Sequence, residues 1–134
     1  MKSDPNILLV EDDADDIELL KQAFEDHKLS YNFEVIMEGN KVLPYLELCK
    51  NIPDIIVLDL NLPEMHGKEI LEIIKSKDPY KNMPVVVLTT SSAQADIDFC
   101  IEAGASLYLI KPITMKGYSE VVSSIAELAN LNSN

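Results

Sequence analysis

Apolar residues fall in two alternating kinds of stretch along this chain. Short runs without internal alternation, Ile7 to Val10, Ile55 to Leu58, Val85 to Leu88 and Leu107 to Ile110, read as strands buried on both faces. Between them, apolar residues recur at helical spacing: Ile17, Leu20 and Phe24, then Ile70, Leu71 and Ile74, and finally Tyr118, Val121, Val122, Ile125 and Leu128. The pattern predicts strands over Asn6–Val10, Tyr31–Met37, Ile55–Asp59, Val85–Thr89 and Ser106–Ile110. The first helix follows the acids Asp13 to Asp16, which suit the positive end of its dipole. A second should start near Asn40 as its cap, keeping Pro44 within the first turn. A third ends near Lys75 to Lys77. A fourth spans Ala93–Ala103 with Ile97, Cys100 and Ile101 inward, stopped by Gly104 in positive φ, and the last spans Met115–Leu128.

Strand and helix thus alternate five times with short connections, which argues for an α/β fold with a parallel sheet covered on both faces. Residues 6–129 are expected to form one domain, with 1–5 and 130–134 as short tails and no output domain. Nothing reads as a linker, repeat or low-complexity tract.

The polar residues at the strand ends turn this fold into a chemical expectation. In a parallel sheet all carboxyl ends meet at one edge, where ligands bind in open α/β folds. Here those ends carry Glu11-Asp12-Asp13, Asp59, Thr89-Thr90 and Lys111-Pro112. Asp59 is central, because an apolar strand leads straight into it and Pro63 and Gly67 then turn the chain away. Two carboxylates about 4 Å apart repel by roughly 4 kcal/mol at an effective dielectric near 20, so converging Glu11, Asp12 and Asp59 need a proton or a cation. Oxygen ligands of this kind suit Mg²⁺. A carboxylate flanked by Mg²⁺, a lysine and a threonine is what formation of an aspartyl phosphate requires. Taken singly, each feature has a plainer reading as a helix cap or a turn; it is their joint occurrence that carries weight.

Composition narrows the partners. With 23 acids against 11 Lys and Arg, the net charge of −12 argues against broad attraction to nucleic acid or anionic lipid and favours a basic protein surface or a divalent cation. Cys49 and Cys100 stand apart and read as reduced apolar thiols, and His27 and His66 are given no catalytic role. The absence of a leader pattern or a long apolar run suggests a cytoplasmic protein.

The segments ILLVEDD, IIVLDLNLPEMHG, PVVVLTTSS and GASLYLIKP together resemble the four signatures of response-regulator receiver domains, the CheY-like family. The resemblance covers about Asn6 to Leu128. It implies a (βα)5 doubly wound, flavodoxin-like sheet of order 2-1-3-4-5, an order that comes from the family and not from the pattern. By position it implies Asp59 as phosphoacceptor, and Glu11, Asp12, Asp59 and the Asn61 backbone carbonyl around Mg²⁺, with Asp12 a direct ligand. Thr89 would be the switch hydroxyl, Tyr108 an aromatic that swings in from outside, and Lys111 the phosphoryl-contacting lysine, with a cis peptide bond before Pro112 turning it inward. Asp13 is assigned to capping the first helix and Thr90 to the rim.

The implied function is a signalling phosphoacceptor, not an enzyme. Its expected partners are a sensor histidine kinase or histidine phosphotransfer protein, a separate downstream protein reading the helix 4, strand 5, helix 5 surface, and a second copy of the chain. The LTTSS run, the Asp15-Asp16 pair and the Lys-rich loop near Tyr80 are similar to single-domain receivers serving phytochrome-type histidine kinases. Two other readings remain. A Mg²⁺-dependent phosphatase with an Asp nucleophile usually has a second Asp two residues on, where Asn61 stands. A docking receiver that never carries phosphate would not label with any donor.

Overall fold

The apolar runs pair side by side as parallel strands in this computed structural model, which describes residues 4–132, with side chains through residue 129. The elements are β1 (Asn6–Val10), α1 (Ala14–Asp26), β2 (Asn32–Ile36), α2 (Val42–Leu48), β3 (Ile55–Leu58), α3 (Gly67–Ser76), β4 (Val85–Thr89), α4 (Gln94–Ala103), β5 (Leu107–Ile110) and α5 (Met115–Asn132). The five strands lie in the order β2-β1-β3-β4-β5, all parallel, as the family resemblance implied.

Because successive strand side chains point to opposite faces, each strand feeds two cores. Leu8, Val10, Ile56, Leu58, Val85 and Val87 pack against α2, α3 and α4 through Val42, Leu46, Ile70, Leu71, Ile74 and Cys100. Ile7, Leu9, Ile55, Val57, Val86 and Leu88 pack against α1 and α5 through Ile17, Leu20, Phe24, Tyr118, Val122 and Ile125. Burial on both faces is why the central strands lack alternation.

The structure revises two helices. The second segment opens as a 3₁₀ turn over Gly39–Lys41, and α2 proper starts at Val42 with Lys41 as a cap that makes no side-chain bond. Asn40 therefore does not cap it. The Gly39 N–H donates to the Pro63 carbonyl (3.1 Å), which fixes the turn one residue earlier and leaves Pro44 third in the helix, where no donor is missed. In α4 the buried stripe is rotated from expectation. Cys100 is buried and Phe99 and Ala103 pack against the core while Ile101 is 50 % exposed and Ile97 half-buried, and the Lys68 amine of α3 lies 5.1 Å from the centroid of the Phe99 ring.

Other expectations hold at the residue level. Gly104 has φ of 109° and ends α4, and Asp13 caps α1 by accepting from the Asp15 and Asp16 N–H groups at 2.9 and 3.1 Å. Cys49 and Cys100 are free thiols. His66 caps α3, its Nδ1 accepting from the Lys68 N–H at 3.1 Å, and His27 ends α1. No helix among the described residues is long and apolar enough to cross a membrane.

Candidate phosphoacceptor and metal site

Three strand ends deliver the site. Continuing the period of two beyond β1, β3 and β5 puts Glu11, Asp59 and Lys111 on the α1/α5 side of the sheet, in step with Leu9, Val57 and Leu109. Backbone bonds extend the ladder just far enough to hold them: Glu11 N–H to the Ile36 carbonyl, Asp59 N–H to Val10, and Lys111 N–H to Thr89, at 3.0, 3.0 and 2.8 Å. Glu11 and Asp59 are buried, at 3 % and 5 % exposure.

Lys111 is the hub. Its Nζ lies 2.7 Å from a Glu11 Oε, 2.7 Å from an Asp16 Oδ and 3.1 Å from an Asp59 Oδ, so one ammonium serves three carboxylates. Burial would lower its pKa, but its bonds to Asp16 and Glu11 and the charge of Asp59 outweigh that and hold it above the ordinary lysine value. Glu11 goes the other way. Burial, reinforced by the charge of Asp59, pushes its carboxyl up to about 7 against the opposing bonds from Lys111 and the backbone.

One oxygen from each of Glu11, Asp12 and Asp59 lies within 4.8 Å of the others, and Asp12 is exposed, so the cluster faces solvent on one side. Hard carboxylate oxygens at that spacing fit a divalent cation such as Mg²⁺ or Mn²⁺. The Glu11 oxygens are already engaged, one by Lys111 and the other by the N–H groups of Asp12 and Asp13 at 3.1 and 3.2 Å. Asn61 is exposed, and its N–H donates to Asp59 Oδ1 across a long 3.4 Å.

The Lys111–Pro112 peptide bond is trans, contrary to expectation; among the described residues the cis bond is Asp78–Pro79. Lys111 turns inward without isomerisation because its N–H closes onto Thr89 and three acids capture its amine. Asp16 was not anticipated as a site residue. Its signal was present, since one turn of helix after the Glu11-Asp12 pair places it on the site side of α1, but from sequence it was indistinguishable from a dipole-favoured first-turn acid.

Thr89 and Tyr108 belong to the opposite face, in step with Val87 and the core under α3 and α4. Thr89 is fully buried, and its Oγ1 accepts from the Ser91 N–H at 3.4 Å. Tyr108 is half-buried against that core, its hydroxyl donating to the Ser91 carbonyl at 2.9 Å, and so does not lie outside. Thr90 is exposed on the rim. Ser91 thus links both predicted switch residues.

Gly67 lets the loop after β3 close over Asp59. A Cβ there would sit 2.4 Å from the Asp59 carbonyl oxygen and 2.6 Å from Leu60 Cα. Gly67→Ala is therefore expected to destabilise by about 2 kcal/mol through forced overpacking against backbone, measured as a lower urea midpoint at unchanged slope.

Comparison with known proteins gives the family. The family model for the response regulator receiver domain matches residues 7–123. The probable methanogenesis regulatory protein FilR2 of Methanothrix harundinacea is 35 % identical over 125 residues, covering 90 % of this chain and 81 % of that protein. Among solved structures, the phosphorylated cyanobacterial phytochrome response regulator RcpA is similar at 32 % identity and a TM-score of 0.87, covering 96 % of this chain and 95 % of that one. The Mn²⁺-bound form of response regulator Rcp1 is similar at 31 % identity and a TM-score of 0.82, covering 92 % of each. With its 2-1-3-4-5 sheet and its acids and lysine gathered at the carboxyl edge, this chain belongs to the response regulator receiver domains of two-component signalling.

Proposed function

We propose that Asp59 takes a phosphoryl group from a phosphohistidine protein, a histidine kinase or phosphotransfer protein, and that the loaded state changes what the protein binds. The supporting observation is the single ammonium of Lys111 shared among Asp59, Glu11 and Asp16 beside a three-carboxylate cluster. An Asp59 oxygen would attack phosphorus as the P–N bond to the donor imidazole breaks, the ring nitrogen taking up a proton. Lys111 is placed to exchange its Asp59 bond for one to a phosphoryl oxygen. A divalent cation, which we propose is Mg²⁺, would neutralise charge on the transferring group. Asp12, Asp59 and the Asn61 carbonyl would hold it directly. Glu11, its oxygens already engaged, would hold a bound water.

Thr89 is the proposed sensor of the phosphoryl group, and Tyr108 the residue that follows it. The surface of α4, β5 and α5 would report the change. Its exposed Ile101, Ile110 and Met115 suit a protein partner, including a second copy. The similar RcpA is a phytochrome response regulator, which supports a light-sensing kinase as donor. Phosphotransfer profiling against purified histidine kinases tests this; transfer from none, with acetyl phosphate also inert, would favour a docking module.

Proton and metal compete at Glu11. Its folded-state pKa of about 7 stands above the ordinary 4.5, so the fold favours the protonated form. Glu11's contribution to metal-free stability is thus full below about 4.5 and is lost as pH rises through about 7. Cation binding needs the carboxylate, so its affinity runs the opposite way. Titration calorimetry with Mn²⁺ is expected to give binding weaker at pH 5.5 than at pH 7.5 by on the order of tenfold, with little further gain at pH 8.5. A flat profile would remove Glu11 from the metal site.

A further inference from the structure

The Lys111 ammonium has three N–H groups to give, and three carboxylates on three different elements take them. Glu11 follows β1, Asp59 follows β3, and Asp16 stands in the first turn of α1. The bonds to Glu11 and Asp16 are the short ones, both 2.7 Å, and that to Asp59 is 3.1 Å. Glu11 is itself fixed, its other oxygen accepting from the Asp12 and Asp13 N–H groups. It also belongs to the carboxylate cluster suited to a cation, whereas Asp16 does not. Asp16 and Lys111 together line a cleft between α1 and the loop from β5 to α5, with Leu19, Pro112 and Met115.

We propose that Asp16 is a positioning residue for phosphoryl transfer: with Glu11 it holds the Lys111 amine from a second side and so aims the third N–H at Asp59, where the phosphoryl group arrives. The inference rests on the phosphoacceptor reading of Asp59. A lysine stem with one anchor can pivot about it; a second anchor on another element removes that freedom before the reaction begins. Loading takes the charge from the Asp59 carboxylate, so the N–H turned toward it is the one released to a phosphoryl oxygen, while Glu11 and Asp16 keep theirs. Without Asp16 the amine is free to swing from Glu11 into the cleft. Charge alone would act the other way, because deleting a carboxylate lowers the repulsion met by an incoming phosphate. Positioning and bulk charge therefore separate by sign.

Acetyl phosphate with saturating Mg²⁺ is the probe: an Asp59 oxygen bonds to phosphorus as the P–O bond to acetate breaks, and acetate leaves. Asp16→Ala is expected to slow labelling about tenfold, and Asp16→Asn, whose amide oxygen still accepts from the amine, to slow it about threefold. The Lys111 Nζ resonance, whose hydrogens three acceptors shield from exchange in wild type, should broaden in Asp16→Ala and persist in Asp16→Asn. A merely structural role would lower the urea midpoint while leaving that resonance and the labelling rate of the folded variants as in wild type, and that result would overturn the proposal. Should Asp16→Ala fail to fold, the rate of Asp16→Asn decides, a rate at or above wild type counting against the proposal. Wild type that labels while Asp16→Ala labels as fast or faster would overturn the positioning role alone; wild type that never labels would overturn the phosphoacceptor reading and the positioning role with it.

Discussion

Asp59→Asn is expected to abolish labelling by acetyl phosphate in the presence of Mg²⁺, while the wild-type label is lost in mild alkali as an acyl phosphate is. The amide is neutral and its nitrogen lone pair is delocalised, so no oxygen retains the nucleophilicity of the carboxylate. Loss of fold would not explain the result. Asp59 sits within 4.8 Å of Glu11 and Asp12, and removing one of three like charges relieves a repulsion of roughly 4 kcal/mol per close pair at an effective dielectric near 20, only part of which Lys111 offsets. The metal-free variant should therefore unfold at a urea concentration no lower than wild type. Labelling of the variant at the wild-type level would move the acceptor elsewhere.

The second large effect is expected at Lys111. Lys111→Met keeps most of the stem and removes the charge that Glu11, Asp16 and Asp59 share. Breaking a buried ion pair by deleting one partner typically costs about 3–5 kcal/mol, because the other charge is left uncompensated. Here the loss should be about 3 kcal/mol at pH 8 without metal, discounted because Asp16 is partly solvated. It should shrink at pH 5.5, where Glu11 takes up a proton, and shrink again in Mg²⁺, which replaces the missing charge. Urea titrations at two pH values, with chelator and with Mg²⁺, separate these contributions. Equal destabilisation in all four conditions would show that Lys111 acts by packing and not by charge. Labelling of the folded variant should be slowed, since the ammonium facing the phosphoryl oxygens is gone.

The two predictions rest on residues that were legible to different degrees. Glu11, Asp12, Asp59 and Lys111 could be picked out because each directly follows an unbroken apolar run, and parallel strands bring such ends to one edge regardless of helix details. Asp16 could not, because its acid suits a helix N-terminus as well as it suits a lysine 95 residues away. Expectations imported from the family fared unevenly for a similar reason. The strand order follows from topology that the whole chain enforces, whereas the peptide bond before Pro112 depends on local contacts of Lys111, which here are satisfied by a trans bond.

What the amino-acid order determined alone was periodicity and its punctuation: five strands with the central ones buried, the amphipathic helices between them, the positive-φ stop at Gly104, and the polar residues waiting at the strand ends. These are local properties, set by side-chain spacing and backbone freedom within a few residues. Which face each polar residue joins, and which partners it meets there, was decided only when the strands registered. A period of two sends Glu11, Asp59 and Lys111 toward α1 and Asp16, and Thr89 and Tyr108 toward α3, α4 and Ser91. The turn of α4 that packs Phe99 against the core and leaves Ile101 exposed, and the ion pair of Lys68 with Asp96, likewise come from the fit between two helices, which no single segment encodes.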